Sequence, residues 1–231
     1  MKLHRFIGEF DLSGENTEIT NLENIKQIKG VLRLEVGNFL ILCDGKGTEA
    51  KVEIIEMEKT HISTKVIEKT KKENNSKKVS LYLAILKKEN FELAIQKVVE
   101  IGVIEIIPII TERTVKTGIN IKRLEKIILE ASEQCERSIV PKLQKTMQFE
   151  NAMAYGYGSE EKFIFHPGSS GYGPNKNAKS ISIFVGPEGG FSNGEIEFAR
   201  TAGYRVASLG DLILRGETAS TIAVYRTVQG I

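Results

Sequence analysis

Val185-Gly186-Pro187-Glu188-Gly189-Gly190-Phe191-Ser192 closes the apolar run Ile181-Ser182-Ile183-Phe184-Val185. A second such stretch, Leu209-Gly210-Asp211-Leu212-Ile213-Leu214-Arg215-Gly216-Glu217-Thr218-Ala219, closes Tyr204-Arg205-Val206-Ala207-Ser208. Both runs are short, apolar and rich in β-formers, as buried strands are. After the first loop, Ser192 with Glu195 reads as a capping box, and Ile196, Phe198 and Ala199 continue into a helix. After the second, residues 218–225 read as helix. The unit strand–glycine loop–helix therefore occurs twice. In α/β proteins ligands bind where strands end, because backbone polar groups are free there, so the two loops form the candidate pocket. Neither a Walker loop nor a G-x-G-x-x-G fingerprint is present, and the Glu188 carboxylate opposes phosphate; a neutral or cationic ligand, such as a sulfonium, fits better. Taken singly, each loop reads equally well as a tight turn, and Arg215 with Glu217 as a pair serving a helix terminus.

Upstream, strands alternate with helices. Residues 79–86 form a strand, Phe91, Ala94, Ile95, Val98 and Ile101 mark one face of a helix, and 104–110 form a strand interrupted by Pro108. Ile121, Leu124, Ile127, Ile128, Ala131 and Cys135 mark a second amphipathic helix that ends before Pro141. On it, Glu133 and Arg137 stand at salt-bridge spacing, as do Lys97 and Glu100 on the first. A short helix at 149–155, a strand at 162–166 and a loop at 168–177 lead back to the two glycine loops. This alternation predicts an α/β fold with a parallel sheet covered on both faces.

The polar, basic segment around 71–78 reads as a linker between domains at 1–70 and 79–231. Before it, β-leaning runs at 31–34, 39–42, 50–55 and 62–67, with an Asp44-Gly45 hairpin turn, predict a small β-barrel. Lys2, Arg5, Lys26, Lys29 and Arg33 cluster near its first strands and suit either a phosphate backbone or solvent.

The whole chain of 231 residues has a formal net charge of only +2, too little to argue for nucleic acid by itself. Cys43 and Cys135, and His4, His61 and His166, are scattered without metal-ligand spacing, so no metal is expected. No signal-peptide core or membrane-length apolar run is present, which predicts a cytoplasmic protein with no membrane partner.

The two loops together, with Gln96-Lys97-Val98-Val99-Glu100-Ile101-Gly102-Val103, Glu133-Gln134-Cys135-Glu136-Arg137, His4-Arg5-Phe6 and Val31-Leu32-Arg33-Leu34, resemble the RsmE family of SPOUT-type RNA methyltransferases. The resemblance covers nearly the whole chain. It implies a PUA-like RNA-binding barrel at the N-terminus, a C-terminal trefoil knot in the parallel sheet, and an obligate homodimer with sites at its interface. It further implies S-adenosyl-L-methionine as cofactor and N3 of a uridine in 16S ribosomal RNA, within an assembled small subunit, as target. On this pattern His166, Gly186, Gly190, Leu209, Gly210, Leu214, Arg215, Thr218 and Ala219 contact the cofactor, and Arg5, Lys29, Arg33 and Arg137 meet RNA. Uridine N3 must lose a proton before it attacks a methyl carbon; Glu217 is the candidate base and Arg215 the candidate electrostatic stabiliser. Two positions depart from the pattern: Gly216 replaces the usual threonine between Arg and Glu, and Gln27 the usual histidine before the Val-Leu-Arg stretch. A SPOUT enzyme acting on ribose 2′-O of another RNA, and a non-catalytic RNA-binding protein, remain as alternatives.

Overall fold

The computed structural model describes residues 3–72 and 77–231, which fall into two compact units. One lies within Met1–Asn75 and includes Ser132–Val140; the other lies within Ser76–Ala131 and Pro141–Ile231.

The first unit contains β1 (Arg5–Ile7), β2 (Asn16–Ile19), α1 (Leu22–Lys26), β3 (Phe39–Cys43), β4 (Thr48–Met57) and β5 (Ile62–Lys71). They build one sheet in the order β1-β3-β4-β5-β2, parallel at β1–β3 and antiparallel elsewhere. Strand alternation turns Leu40 and Leu42 inward opposite Val52 and Ala50, and Ile19 inward opposite Ile62. The Asp44-Gly45 turn joins β3 to β4: Asp44 Oδ1 accepts from the amides of Lys46 (2.7 Å) and Thr48 (2.9 Å).

The expected strand at 31–34 is absent. Asn21 caps α1 by accepting from the Glu23 and Asn24 amides, and the chain continues through a wider helical turn, Gln27–Val31. Ile25 and Ile28 share the inner face of this helical segment and are buried, while Val31 is exposed. The β-branched Val31 suggested a strand; the capping residue ten positions earlier and the spacing of Ile25 and Ile28 decided otherwise.

The second unit contains β6 (Lys78–Ala84), α2 (Lys88–Ile101), β7 (Glu105–Ile110), α3 (Ile121–Gln134), β8 (Lys142–Leu143), β9 (Met147–Gln148), α4 (Phe149–Gly156), β10 (Glu161–Gly171), β11 (Ser180–Val185), α5 (Asn193–Thr201), β12 (Arg205–Ser208) and α6 (Gly216–Gln229). The last turn of α3, from Ser132, belongs with the first unit. All the strands pair in parallel, in the order β12-β10-β11-β6-β7-β8, with β9 also on β7. Pro108 falls between the pairings of β7 with β8 and with β9, at a place where a missing N–H breaks no ladder on that side. Tyr82, Ala84, Ile164 and Phe184 pack with Phe149, Met153, Ile196 and Ala199 of α4 and α5. Alternation turns Leu81, Leu83, Ile181 and Ile183 to the opposite face, where α6 packs on β6 and β11 and on α2. The sheet is thus buried on both sides, as its apolar strands require.

Lys71 lies in β5 and Lys78 in β6, so the strands take both ends of the segment read as linker; its residues 73–76 lie outside the described residues, as does Lys2. β10 also runs past His166 to Gly171, into the stretch read as loop. Its pairing with β12 breaks after Phe165 and resumes at Ser170, an irregularity that strand periodicity does not display.

Candidate active site

The C-terminal ends of β6, β7, β10, β11 and β12 surround a cavity of about 670 Å³. Its wall takes Phe165, His166 and Pro167 from β10, the loop 185–191 after β11, Ser208 and Leu209 at the end of β12, and 212–217 with Ala219 at the start of α6. Lys87 and Asn90 come from the start of α2, and Arg113 from the loop after β7. The size lies within the usual range for cofactor sites, roughly 300–1,000 Å³.

The first glycine loop is held rigidly. The Gly190 amide donates to the Pro187 carbonyl at 2.8 Å, and Gly190 takes φ +67°, a left-handed conformation that favours glycine. A Cβ on Gly186 would stand 3.2 Å from the Phe191 ring. Ser192 and Glu195 form the expected capping box of α5. Glu195 does more than cap: its Oε2 accepts from the Ser192 amide at 2.8 Å and its Oε1 from the Glu112 amide at 2.9 Å, tying the loop after β7 to the loop after β11. Glu188 turns to the start of α2, where its Oε1 accepts from the Lys87 amide at 3.0 Å.

In the second loop, Ser208 Oγ donates to the Gly210 carbonyl (2.7 Å) and accepts from the Gly210 amide (3.3 Å). α6 begins with Arg215 as its N-cap residue, exposed at the cavity wall. Two buried side-chain atoms among the described residues have no hydrogen-bond partner, His166 Nδ1 and Glu217 Oε2, and both belong to residues of this wall. Burying a polar atom unpaired costs free energy, so such atoms mark a place where a ligand supplies the partner. A ligand bearing hydroxyl or amino groups fits this wall.

Of the residues read from the motifs, His166, Gly186, Gly190, Leu209, Leu214, Arg215, Glu217 and Ala219 line this one cavity. Gly210 and Thr218 do not; the Gly210 amide is taken by Ser208, and Thr218 faces solvent. Lys87, Asn90, Arg113 and Ser208 line it without having been singled out. Ser208 directly precedes a quoted loop, but Lys87 and Arg113 reach the wall only because β6 and β7 follow β11 in the sheet.

The residues expected to meet RNA have varied surroundings. Arg5 is turned into its unit: Nη1 donates to Glu49 Oε2 at 2.7 Å and to Cys43 Sγ at 2.9 Å, so its charge is spent on a structural pair. Lys29 Nζ donates to the Glu58 carbonyl. Arg33 is exposed, at φ +52°. Arg137 is not on a helix with Glu133, because α3 stops at Gln134 and Glu136 takes φ +61°. Its Nε donates to the Ile139 carbonyl at 3.0 Å, and burial lowers its pKa. Glu133 Oε1 accepts from the Ile7 amide at 2.7 Å. Lys97 and Glu100 form the simple ion pair their spacing predicts, at 3.0 Å.

Two family models match the chain, an RNA methyltransferase domain over residues 72–228 and an RNA methyltransferase PUA domain over 19–67. Ribosomal RNA small subunit methyltransferase E of Rickettsia conorii is 33% identical, the match covering 97% of this chain and 94% of that protein. The chain belongs to the RsmE family. The crystal structure of RsmE from Neisseria gonorrhoeae bound to S-adenosyl methionine superposes with a TM-score of 0.89 at 27% identity, covering 96% of this chain and 95% of that one. A putative methyltransferase from Legionella pneumophila, in complex with the bound cofactor SAM, gives 0.85 at 29% identity over 97% and 96%. The RsmE fold accounts for both units: a PUA-like sheet first, then the parallel α/β unit that carries the cavity.

Proposed function

We propose that this chain methylates N3 of a uridine in 16S ribosomal RNA, with S-adenosyl-L-methionine as cofactor. The observation that carries the reading is the pair of buried, unpartnered atoms, His166 Nδ1 and Glu217 Oε2, on the wall of a cavity cradled by glycine loops. Family membership and the relatives bound to S-adenosyl methionine support it. When bound, the cofactor supplies an already activated methyl group. His166, Gly186, Gly190, Leu209, Leu214 and Ala219 would hold it, largely through backbone groups.

The chain's own groups manage the proton. Glu217 Oε2 accepts the N3 proton, which gives that orphaned oxygen its partner. Arg215, at the N-terminus of α6, holds positive charge where the uridine anion develops, and the helix dipole acts in the same sense.

The remaining expectations belong to the same proposal: an RNA-binding role for the first unit through Arg33 and Lys29, a trefoil knot in the C-terminal segment, a homodimer, an assembled small subunit as substrate and a cytoplasmic location. Leu212 and Ile213, 81% and 83% exposed on the second loop, support a second copy over the mouth. No helix among the described residues is long and apolar enough to cross a membrane.

The test is calorimetric titration with S-adenosylmethionine, on wild type and Gly190→Trp, followed by methylation of small subunits from a strain lacking the modification. Saturable binding lost in the variant, and a methyl group mapped to uridine N3, are expected. A ribose 2′-O product would replace the target, and absence of binding would leave an RNA-binding protein.

A further inference from the structure

Arg113 belongs to none of the glycine motifs, yet it is held at the mouth of the cavity by several independent contacts. Its loop is closed by Thr114 Oγ1, which accepts from the Thr111 amide and shares a hydrogen bond with the Thr111 hydroxyl, both at 2.9 Å. Glu195 grips the same loop through the Glu112 amide. Arg113 Nη1 then donates to the Gly189 carbonyl at 2.9 Å. A Cβ on Gly189 would stand 3.3 Å from Arg113 Cβ and 3.5 Å from its Cδ, so the stem of the arginine lies along the bare face of that glycine.

The charge so placed is not neutralised. Its one hydrogen bond goes to a neutral carbonyl, and Arg113 forms no ion pair among the described residues. Glu188, the carboxylate in the same glycine loop, is engaged by the Lys87 amide. Lys87, Arg113 and Arg215 are all exposed on this wall, whereas Glu217 Oε2 is buried. Against these three cations stands one exposed carboxylate of the same wall, Glu188, which keeps its charge but is turned toward the start of α2, so the mouth is net cationic and the interior carries the acceptor. An exposed guanidinium fixed by one Nη, with Nε and the other Nη left over, presents a fork suited to phosphate oxygens.

We propose that Arg113 binds a backbone phosphodiester of the RNA beside the nucleotide being methylated, positioning the strand across the mouth while the base enters the cavity. This rests on the reaction proposed above. A group that read the base itself would sit with the buried atoms of the cavity; Arg113 stands at the rim, where phosphate contacts set register.

The test uses the full chain and small subunits lacking the modification. Arg113→Gln is expected to raise KM for the subunit about tenfold at physiological salt and to flatten the salt dependence by slightly less than one unit of log–log slope, with the smaller effect on kcat. Arg113→Lys, which keeps the charge but not the fork, is expected to recover the slope and part of the KM. Unchanged KM and slope in Arg113→Gln would overturn the assignment. So would weakened calorimetric binding of S-adenosylmethionine, which marks a loop-holding role, or a shifted pH profile of kcat at saturating RNA, which puts the arginine on the base. A wild type that binds cofactor but methylates no RNA overturns the reaction and this inference together; an active wild type with indifferent variants overturns this inference alone.

Discussion

Leu86 Cδ2 lies 2.7 Å from where a Cβ on Gly216 would stand, and Cδ1 lies 3.0 Å from it. Leu86 is buried two residues beyond the end of β6, and Gly216 opens α6 between Arg215 and Glu217. The space that a side chain at position 216 would need is filled by Leu86. Gly216→Thr is expected to destabilise the chain by about 1–3 kcal/mol through overpacking and to weaken S-adenosylmethionine binding. Leu86→Ala alone should cost about 2–5 kcal/mol. In the double variant the two costs should be strongly non-additive, with binding partly restored. Urea unfolding and calorimetry read both; additive costs would mean that the two side chains do not compete for one space.

Glu195 ties three segments together through the Ser192 and Glu112 amides and the N-terminus of α5. Glu195→Ala is expected to cost about 1–3 kcal/mol, since it leaves amides unpaired as well as removing the capping box. Glu197→Ala, which removes only the exposed pair with Arg200, should change stability by less than about 0.5 kcal/mol. Equal losses in the two variants would assign Glu195 a surface role only.

Glu49 confers a pH dependence on the first unit. Burial would raise its carboxyl pKa, but hydrogen bonds from Ser138, Arg5 and Lys72 outweigh that and hold it at about 2, against 4.5 ordinarily. A carboxyl depressed on folding stabilises the folded state above its unfolded pKa. That contribution is expected in full above pH 4.5 and to fade as pH falls toward 2. Denaturant melts between pH 6 and 3 should show a drop that Glu49→Gln reduces; an identical pH dependence in the variant would rule Glu49 out as its source.

The two thiols should differ in reactivity. Cys43 is fully buried, and burial raises its pKa to about 11 despite the adjacent Arg5. Cys135 is partly exposed. Alkylation of the native protein at pH 8 should label Cys135 and spare Cys43 until the chain unfolds, with mass spectrometry as the readout. Rapid double labelling would show that the first unit opens easily.

Much of the cavity was legible because its elements are local. The apolar run at 181–185 lies within β11, and Ser192 with Glu195 caps α5 through an interaction spanning one helical turn. Most of the motif residues then fall on one wall, since a strand end and a helix start fix where a loop between them points. Less legible were features set by distant partners. Val31 suggested extended chain until Asn21 was seen to start a helix that buries Ile25 and Ile28. Arg5 looked like a surface cation until the pairing of β1 with β3, and of β3 with β4, brought it to Glu49.

The sequence by itself determined the alternation of strands and helices and the two glycine loops, because periodicity, capping and backbone conformation act over a few residues. Tertiary structure alone decided the strand order β12-β10-β11-β6-β7, and with it that Lys87 and Arg113 reach the same cavity as His166 and Glu217. It also decided that Ser132–Val140 packs with the first unit, through the Ser138 hydroxyl on Glu49 and the Val140 amide on the Gly45 carbonyl. Parallel strands are joined by long crossovers, so which strand lies beside which depends on the packing of both sheet faces, a property that no short stretch of chain contains.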